Sequence, residues 1–132
     1  MSFKYSICYP DRENIDYKNT PITKEEVLDI AKNYPWEEQL KVKGENYNPS
    51  LDFINIENKK SFCLTANFDN NHNIEFSLWF NRPKKVKIFF GLFGEKEKMI
   101  VDDVWSIQLE DSIKFLEFFV NENYKDLERL YK

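Results

Sequence analysis

Apolar residues occupy every second position through much of the middle of the chain, in segments separated by short polar turns. Because side chains alternate across a β-strand, this two-residue period indicates strands with one buried face. The connections are short, which favours antiparallel neighbours. We therefore predict a five-stranded meander, with turns near residues 69–72, 81–84 and 94–97. Its strands are Leu51–Glu57; Phe62, Leu64, Ala66 and Phe68; Ile74, Phe76, Leu78 and Phe80; Val86, Ile88, Phe90 and Leu92; and Met99–Val104.

The N-terminus also has the pattern of a strand. Apolar and polar side chains alternate over residues 3–9, and Pro10 follows them. Because proline lacks the N–H that a sheet needs, the strand is predicted to end there. Residues 11–20 are mostly polar and predict a loop. Further along, Leu40 and Val42 predict a second, short strand.

A helix is predicted between these two strands. Thr23 and Glu26 have the spacing of a capping box, in which each side chain accepts a hydrogen bond from the other residue's backbone N–H. Ile22 and Val27 occupy the two positions of a hydrophobic staple. Pro35 cannot continue a helix, so the helix is predicted to end before it.

The C-terminal segment is predicted to be helical, because apolar residues recur every three or four positions over residues 109–131. Asp111 or Ser112 is the predicted cap, and residues 121–123 are predicted to divide the segment into two helices. The whole chain, residues 1–132, is thus predicted to be a single α+β domain. Its mainly antiparallel meander sheet has an N-terminal strand–helix unit and a C-terminal helical segment packed on one face.

The residue types that most enzymes use are scarce. The chain has three glycines and one histidine, His72, which argues against glycine-loop nucleotide sites and histidine-based metal or acid–base sites. Cys8 and Cys63 are far apart and form no C-x-x-C motif, which favours buried thiols in a reducing cell. We therefore predict no enzyme activity, no catalytic residue, no metal ligand and no cofactor.

One segment begins like a calcium-binding loop. Residues 69–73 have the sequence DNNHN, with oxygen-bearing side chains at alternate positions. However, Ile74 stands where such a loop needs glycine, and Phe80 stands where it needs a bidentate acid. Asparagine tolerates turn dihedral angles, so the segment is predicted to be a plain hairpin turn.

The formal net charge is −4, which disfavours binding to the phosphates of nucleic acids and favours a basic partner. One basic cluster, residues 82–87, spans the predicted turn and strand start. No apolar run approaches the ~20 residues of a membrane helix, and the N-terminus lacks the pattern of a signal peptide. We therefore predict a cytoplasmic protein with neither a nucleic-acid nor a membrane partner.

The sheet face away from the core is the predicted binding surface. A turn near residues 70–71 pairs Cys63 with Trp79, and a turn near residues 82–83 then pairs Trp79 with Lys87. Aromatic side chains among mixed charges are typical of protein interfaces. Alternatively, the N-terminal segment or the loop from Pro35 to Ser50 folds over this face. The predicted partner-binding residues are Glu75, Trp79, Lys87, Phe89 and Phe93.

The overall order of strand, helix, meander and helix resembles that of small bacterial immunity proteins. Residues 23–26 (TKEE) open the first helix, and residues 102–105 (DDVW) lead to the last one. This resemblance covers the general layout and includes no diagnostic motif. It implies a non-catalytic inhibitor that binds one cognate toxin, often a basic nuclease.

Two other functions are compatible with the sequence. A bent sheet wrapped on a helix can hold an aromatic-lined pocket for a small molecule, and the chain has aromatic residues at 17% of its positions. An enzyme that uses carboxylates and tyrosines, such as Tyr17, Tyr47 or Asp52, would need a cleft in which carboxylates with shifted pKa values converge. The sequence leaves the oligomeric state open.

Overall fold

A computed structural model describes residues 2–42, 48–87 and 95–131, without the side chains of residues 84–87 and 95–100. Its centre is a six-stranded sheet in which every neighbouring pair is antiparallel, in the order β2-β1-β3-β4-β5-β6. This architecture confirms the predicted α+β fold. The strands are β1 Phe3–Cys8, β2 Asp16–Ile22, β3 Ser50–Asn55, β4 Ser61–Phe68, β5 Ile74–Lys87 and β6 Glu95–Ile107.

The helices pack on one face of this sheet. Phe119 of the C-terminal helical segment lies against Phe3, Phe62 and Phe80, with 5.7 to 6.3 Å between ring centroids. None of the described helices is long and apolar enough to cross a membrane. The helices are α1 Lys24–Asn33, α2 Trp36–Leu40, α3 Leu109–Val120 and α4 Tyr124–Glu128, followed by a 3₁₀ turn over Arg129–Tyr131.

The predicted alternation of apolar side chains determines which residues of β3 to β5 lie in the core. β3 and β4 pair Leu51 with Leu64, and β4 and β5 pair Leu64 with Leu78. All three side chains are fully buried, as are Phe62 and Phe80. Burying a side chain of this size contributes about 1.5–3 kcal/mol, so the register that turns these residues inward is strongly favoured.

The predicted start and end of α1 are confirmed. The Thr23 hydroxyl accepts a hydrogen bond from the Glu26 N–H at 3.2 Å, and the Glu26 carboxylate accepts one from the Thr23 N–H at 3.1 Å. The helix ends at Asn33, two residues before Pro35. Local sequence therefore defines this element at both ends.

The short strand predicted at Leu40 and Val42 is wrong, because residues 36–40 form helix α2. Trp36 explains the difference. Its indole N–H donates to the Ala31 carbonyl at 3.0 Å, and its ring meets Phe76 edge-on at 4.9 Å. These contacts hold the segment against the helix side of the sheet.

The loop predicted over residues 11–20 is also corrected, since Asp16–Ile22 form strand β2. Among the described strands, β2 pairs only with β1 and lies at the edge of the sheet. Its middle residues are exposed on both faces, so no apolar alternation marks it in the sequence. Pro21 is tolerated because an edge strand has one side without a hydrogen-bonding neighbour.

The turn predicted at residues 81–84 is absent, and β5 runs continuously through it to Lys87. Pairing with β4 stops at Asn81, whereas pairing with β6 continues until Lys87 meets Glu95. Beyond Asn81 the strand is an edge, where Pro83 is tolerated. The proline therefore marks the end of the pairing with β4 and not a turn. Residues 88–94, which include part of the predicted fourth strand, lie outside the described residues.

The predicted break in the C-terminal helical segment is confirmed, but its predicted cap is not. α3 begins at Leu109 with Gln108 at the N-cap, so Asp111 and Ser112 lie in its first turn. The Ser112 hydroxyl donates to the Gln108 carbonyl at 2.8 Å, which leaves it no role as a cap. After Asn121 the chain turns and α4 begins.

Candidate functional site

The sheet face opposite the helices, here called the outer face, is not covered by any helix in the described part of the chain. β1 and β2 are members of the sheet, and α2 lies on the helix side through Trp36. The N-terminal segment and the loop from Pro35 to Ser50 were the two alternative covers predicted for this face. Their described elements, β1, β2 and α2, do not lie over it. The outer face includes Lys4, Ser6, Asp52, Ser61, Cys63, Thr65, Glu75, Ser77, Trp79, Asn81, Val101, Asp103 and Trp105.

The predicted register around Trp79 is correct on one side and wrong on the other. Trp79 pairs with Cys63 of β4, as predicted. On its other side it pairs with Asp103 and not with Lys87, which is paired with Glu95. Eight residues of strand, roughly 26 Å at ~3.3 Å per residue, separate Lys87 from Trp79. Phe89, Phe93 and the Lys87 side chain lie outside what the structure describes.

Trp79 forms an aromatic pair with Trp105. The two rings meet edge-on, with 5.5 Å between centroids. The Trp79 indole N–H donates to the Ser77 hydroxyl at 3.0 Å, and that of Trp105 donates to the Asp103 carboxylate at 2.6 Å. Trp79 is half-buried, whereas Trp105 is 54% exposed. With both N–H groups satisfied, the pair offers mainly apolar ring surface to a partner.

A β-bulge in β6 lies directly beside Trp105. β5 and β6 pair Leu78 with Val104 and Phe76 with Ile107, so β6 contains one extra residue in this interval. Ser106 has a φ of 66°, the left-handed conformation found in one class of β-bulge. Trp105 points outward by simple alternation from Asp103, and the extra residue returns Ile107 to the side on which Val104 packs against the core.

Glu75 shares the outer face with Trp79 but lies four residues away along β5, near the β4–β5 turn. Its carboxylate accepts a hydrogen bond from the Asn67 side-chain amide at 2.8 Å. That turn is the predicted hairpin, in which the Asp69 carboxylate accepts from the N–H groups of Asn71 and Asn73. Glu75 is thus at the rim of the face and not beside the tryptophans.

A polar cleft, here called the Asp52 cleft, lies beside the tryptophan pair. It consists of two adjoining hollows of about 260 and 290 Å³ that share Asp52, Ser61 and Asn81. Ser61 is paired with Asn81, and its small side chain leaves space between its larger neighbours. Trp79 and Val101 border one hollow, whereas Lys4, Ser6, Tyr17 and Asn19 border the other.

Two acceptor atoms in this cleft have no partner among the described residues. They are Oδ1 of Asp52 and Oδ1 of Asn81, both buried. Burial raises the pKa of Asp52 to about 6, so the carboxyl is mostly ionised at pH 7. Although Lys4 borders the same hollow, no described ion pair joins a cation to Asp52. The cleft therefore holds an incompletely satisfied acidic group.

Of the catalytic candidates named from the sequence, Asp52 and Tyr17 border this cleft, and no second carboxylate is among its described lining residues. Burial, and then the nearby Asp52 charge, raise the pKa of the Cys63 thiol to about 12, so the thiol stays protonated and unreactive. His72 is exposed in the β4–β5 turn, and Tyr47 lies outside the described residues. Within the described ranges, no group of three His, Cys, Asp or Glu is placed to hold a metal ion.

A larger open cleft lies at the other end of the molecule, where β5 and β6 meet the start of α3. Its volume is about 950 Å³. Its lining is mostly polar, and none of the described lining residues is aromatic. These residues are Lys32, Asp69, Asn73, Ile74, Glu75, Ser106, Gln108, Leu109, Glu110 and Ile113.

Comparisons of this chain with protein-family models, with curated proteins and with solved structures found no match.

Proposed function

We propose that this chain is a non-catalytic protein-interaction module of the immunity type, which binds and neutralises a basic bacterial toxin domain through its outer face. The observation that supports this proposal is the Trp79–Trp105 pair on a sheet face that no described helix covers. Tryptophan is enriched among the residues that contribute most to protein–protein binding. Trp79 and Trp105 would be the central contacts.

Charge favours a basic partner. The chain has a net charge of −4, and the described outer face includes the carboxylates of Asp52, Glu75 and Asp103. Complementary charge accelerates encounter and excludes partners of the same sign, including nucleic acids. Glu75 and Asp103 would lie at the rim of the interface, where water still reaches them and each contributes little affinity.

The chemistry of the outer face supports binding over catalysis. Among the described residues that line its cleft, Asp52 is the only carboxylate, so none of them is a second carboxylate that could act as its acid or base partner. The module would therefore act by covering the active site of its partner. Cys8 and Cys63 are free thiols, which suits the reducing cytoplasm that we propose as its location.

The test is binding to a purified basic toxin domain encoded next to this chain, measured by isothermal titration calorimetry. Replacing a residue at the centre of an interface costs about 2 kcal/mol or more, so Trp105→Ala is expected to weaken binding ~30-fold or more. Leu109→Ala is the matched control, because Leu109 is also exposed but lies at the start of α3. Wild-type affinity in both Trp79→Phe and Trp105→Ala would contradict the proposal.

A small-molecule-binding domain is the second candidate, because the open cleft of about 950 Å³ lies within the size range of ligand sites. Its lining differs from the aromatic pocket predicted from the sequence. The variants Leu109→Ala and Trp105→Ala distinguish the two functions. A small ligand bound there would lose affinity in Leu109→Ala and keep it in Trp105→Ala.

A further inference from the structure

We infer that the Asp52 cleft accepts one cationic side chain, a lysine or an arginine, presented by the protein partner. This inference rests on the proposed function, because it names the chemistry of the contact that the outer face would make. It depends on Asp52 and Asn81 and shares only Trp79 with the tryptophan pair, so the two proposals can fail separately.

The cleft contains hydrogen-bond acceptors that lack donors. Asp52 Oδ1 and Asn81 Oδ1 are buried acceptors without a partner in the described chain. A buried polar atom without a hydrogen bond is destabilising, and more so when it is charged. A ligand with several N–H donors relieves that destabilisation, whereas an acceptor such as phosphate or carboxylate adds repulsion.

The charges around the cleft also favour a cation. Besides Asp52, the titratable residues that border the hollows are Lys4 and Tyr5 on β1, Tyr17 on β2 and Cys63 on β4. The tyrosines and Cys63 supply no positive charge, and Lys4 forms no described ion pair with Asp52. A partly buried carboxylate that lacks an opposite charge gains most from a cation.

The volume of each hollow suits a single side chain. The hollows of about 260 and 290 Å³ are slightly smaller than the ~300–1,000 Å³ of sites that hold whole small-molecule ligands. Each has room for a single side chain. Aromatic residues border both hollows, Trp79 the first and Tyr5 and Tyr17 the second. Such rings pack against the methylene groups of lysine or arginine and attract the cation.

The experiment needs no identified partner, because n-propylguanidine reproduces the end of an arginine side chain. Its binding to the full chain would be followed by ¹H–¹⁵N correlation spectra, with neutral n-propylurea as the matched probe. We expect the guanidine to shift the amide signals of Asp52, Ser61 and Asn81 and to bind at least tenfold more tightly than the urea. Binding should weaken about tenfold from pH 7.5 to pH 5, because a carboxyl with a pKa of about 6 is then only roughly one-tenth ionised.

Two variants assign the effect to the cleft. Asp52→Asn keeps the shape of the side chain and removes its charge, and it is expected to reduce guanidine affinity at least tenfold. Asp103→Asn is the control, because Asp103 is on the same face but lines neither hollow. If Asp52→Asn fails to fold, Asn81→Ala gives a second test, with a two- to tenfold loss expected from one missing acceptor.

The outcomes are distinguishable. Equal affinity for guanidine and urea, or unchanged guanidine binding in the folded Asp52→Asn variant, would overturn the inference. Guanidine binding that depends on Asp52, together with full toxin binding by the tryptophan variants, would overturn the proposed interface alone. Loss of toxin binding in Trp105→Ala without guanidine binding to the wild-type chain would leave the proposed function standing and reject this inference.

Discussion

The indole ring of Trp105 meets the indole ring of Trp79 edge-on, with 5.5 Å between their centroids, on the side of the sheet away from the helices. Each ring is oriented by a hydrogen bond to its own strand, at Ser77 on β5 and at Asp103 on β6. The pair is therefore fixed in place without contributing to the buried core. Because the pair lies outside the buried core, its part in binding can be tested independently of folding.

A double-mutant cycle should measure this contact. Aromatic pairs of this geometry contribute about 0.5–1.5 kcal/mol beyond the area they bury. We expect Trp79→Leu and Trp105→Leu to show a coupling free energy in that range, obtained from urea unfolding of both single variants and the double variant. Additive effects on the free energy of unfolding would show that the two rings do not interact in solution.

Asp52→Asn should stabilise the protein at neutral pH. Burial raises the pKa of this carboxyl to about 6 from its ordinary value of 3.8, so the carboxyl ionises at lower pH in the unfolded chain than in the folded one. The ionisation of Asp52 therefore lowers the free energy of unfolding as the pH rises from about 4 to about 6. Above pH 6 this effect is complete. We expect the variant to gain roughly 1–3 kcal/mol at pH 7.5 and nothing at pH 3.5.

Urea unfolding of Asp52→Asn and wild type at both pH values provides the measurement. Asp103→Asn is the matched control, because Asp103 is exposed on the same face and should show no such gain. An equal difference between Asp52→Asn and wild type at pH 3.5 and pH 7.5 would mean that the carboxyl is not destabilised by burial.

Glu122→Gly should stabilise the end of α3. Glu122 has a φ of 59°, and its N–H bonds the Phe119 carbonyl, while the Asn123 N–H bonds the Phe118 carbonyl. This is the Schellman pattern, whose left-handed residue is usually glycine because a Cβ atom is unfavourable there. We expect a gain of about 0.5–1 kcal/mol in the free energy of unfolding, by chemical denaturation.

The neighbouring position is the control for that substitution. Asn121 has a φ of −92°, where glycine has no conformational advantage. Asn121→Gly should therefore leave stability unchanged or lower it. A loss of stability in Glu122→Gly would show that the carboxylate contributes more than the backbone strain costs.

Arg82→Ala should destabilise the contact between the sheet and the C-terminal helices. The guanidinium group bonds Asp102 at 2.7 Å and Glu128 at 3.2 Å, and the side chain is 12% exposed. Removing it leaves both carboxylates without their described partner. We expect a loss of about 2–4 kcal/mol, by thermal or urea unfolding.

Arg129→Ala is the matched control for Arg82→Ala. Arg129 pairs with Asp126 at 3.1 Å, but its side chain is 74% exposed. Surface pairs of this kind contribute about 0–1 kcal/mol. Equal losses in the two arginine variants would show that Arg82 does not connect the elements as the structure indicates.

Sequence predicted best where the determining contacts are local. The capping box of Thr23 and Glu26 fixes the start of α1, and the hairpin turn at Asp69 fixes the pairing of Cys63 with Trp79. Prediction was wrong where a residue has two structural meanings. Pro83 is compatible with a turn or with the edge of a sheet. It lies at an edge because β4 begins at Ser61, opposite Asn81, and so does not extend beside Pro83.

The candidate site was predicted in part. Trp79 and Glu75 are on the outer face, as predicted, but Trp105 was not among the predicted residues. The alternation from Asp103 to Trp105 could have suggested it. The bulge at Ser106 could not be inferred, because no glycine marks it.

The class of the fold, the inward-facing residues of β3 to β5 and the boundaries of α1 follow from the order of amino acids, because strand alternation and helix capping depend on neighbours along the chain. By contrast, the contact of Trp79 with Trp105 and the cleft that Asp52 shares with Asn81 are established only in the folded sheet. Both relationships join residues of different strands. Their geometry depends on register and on a bulge, which minimise the free energy of the whole sheet and not of any one segment.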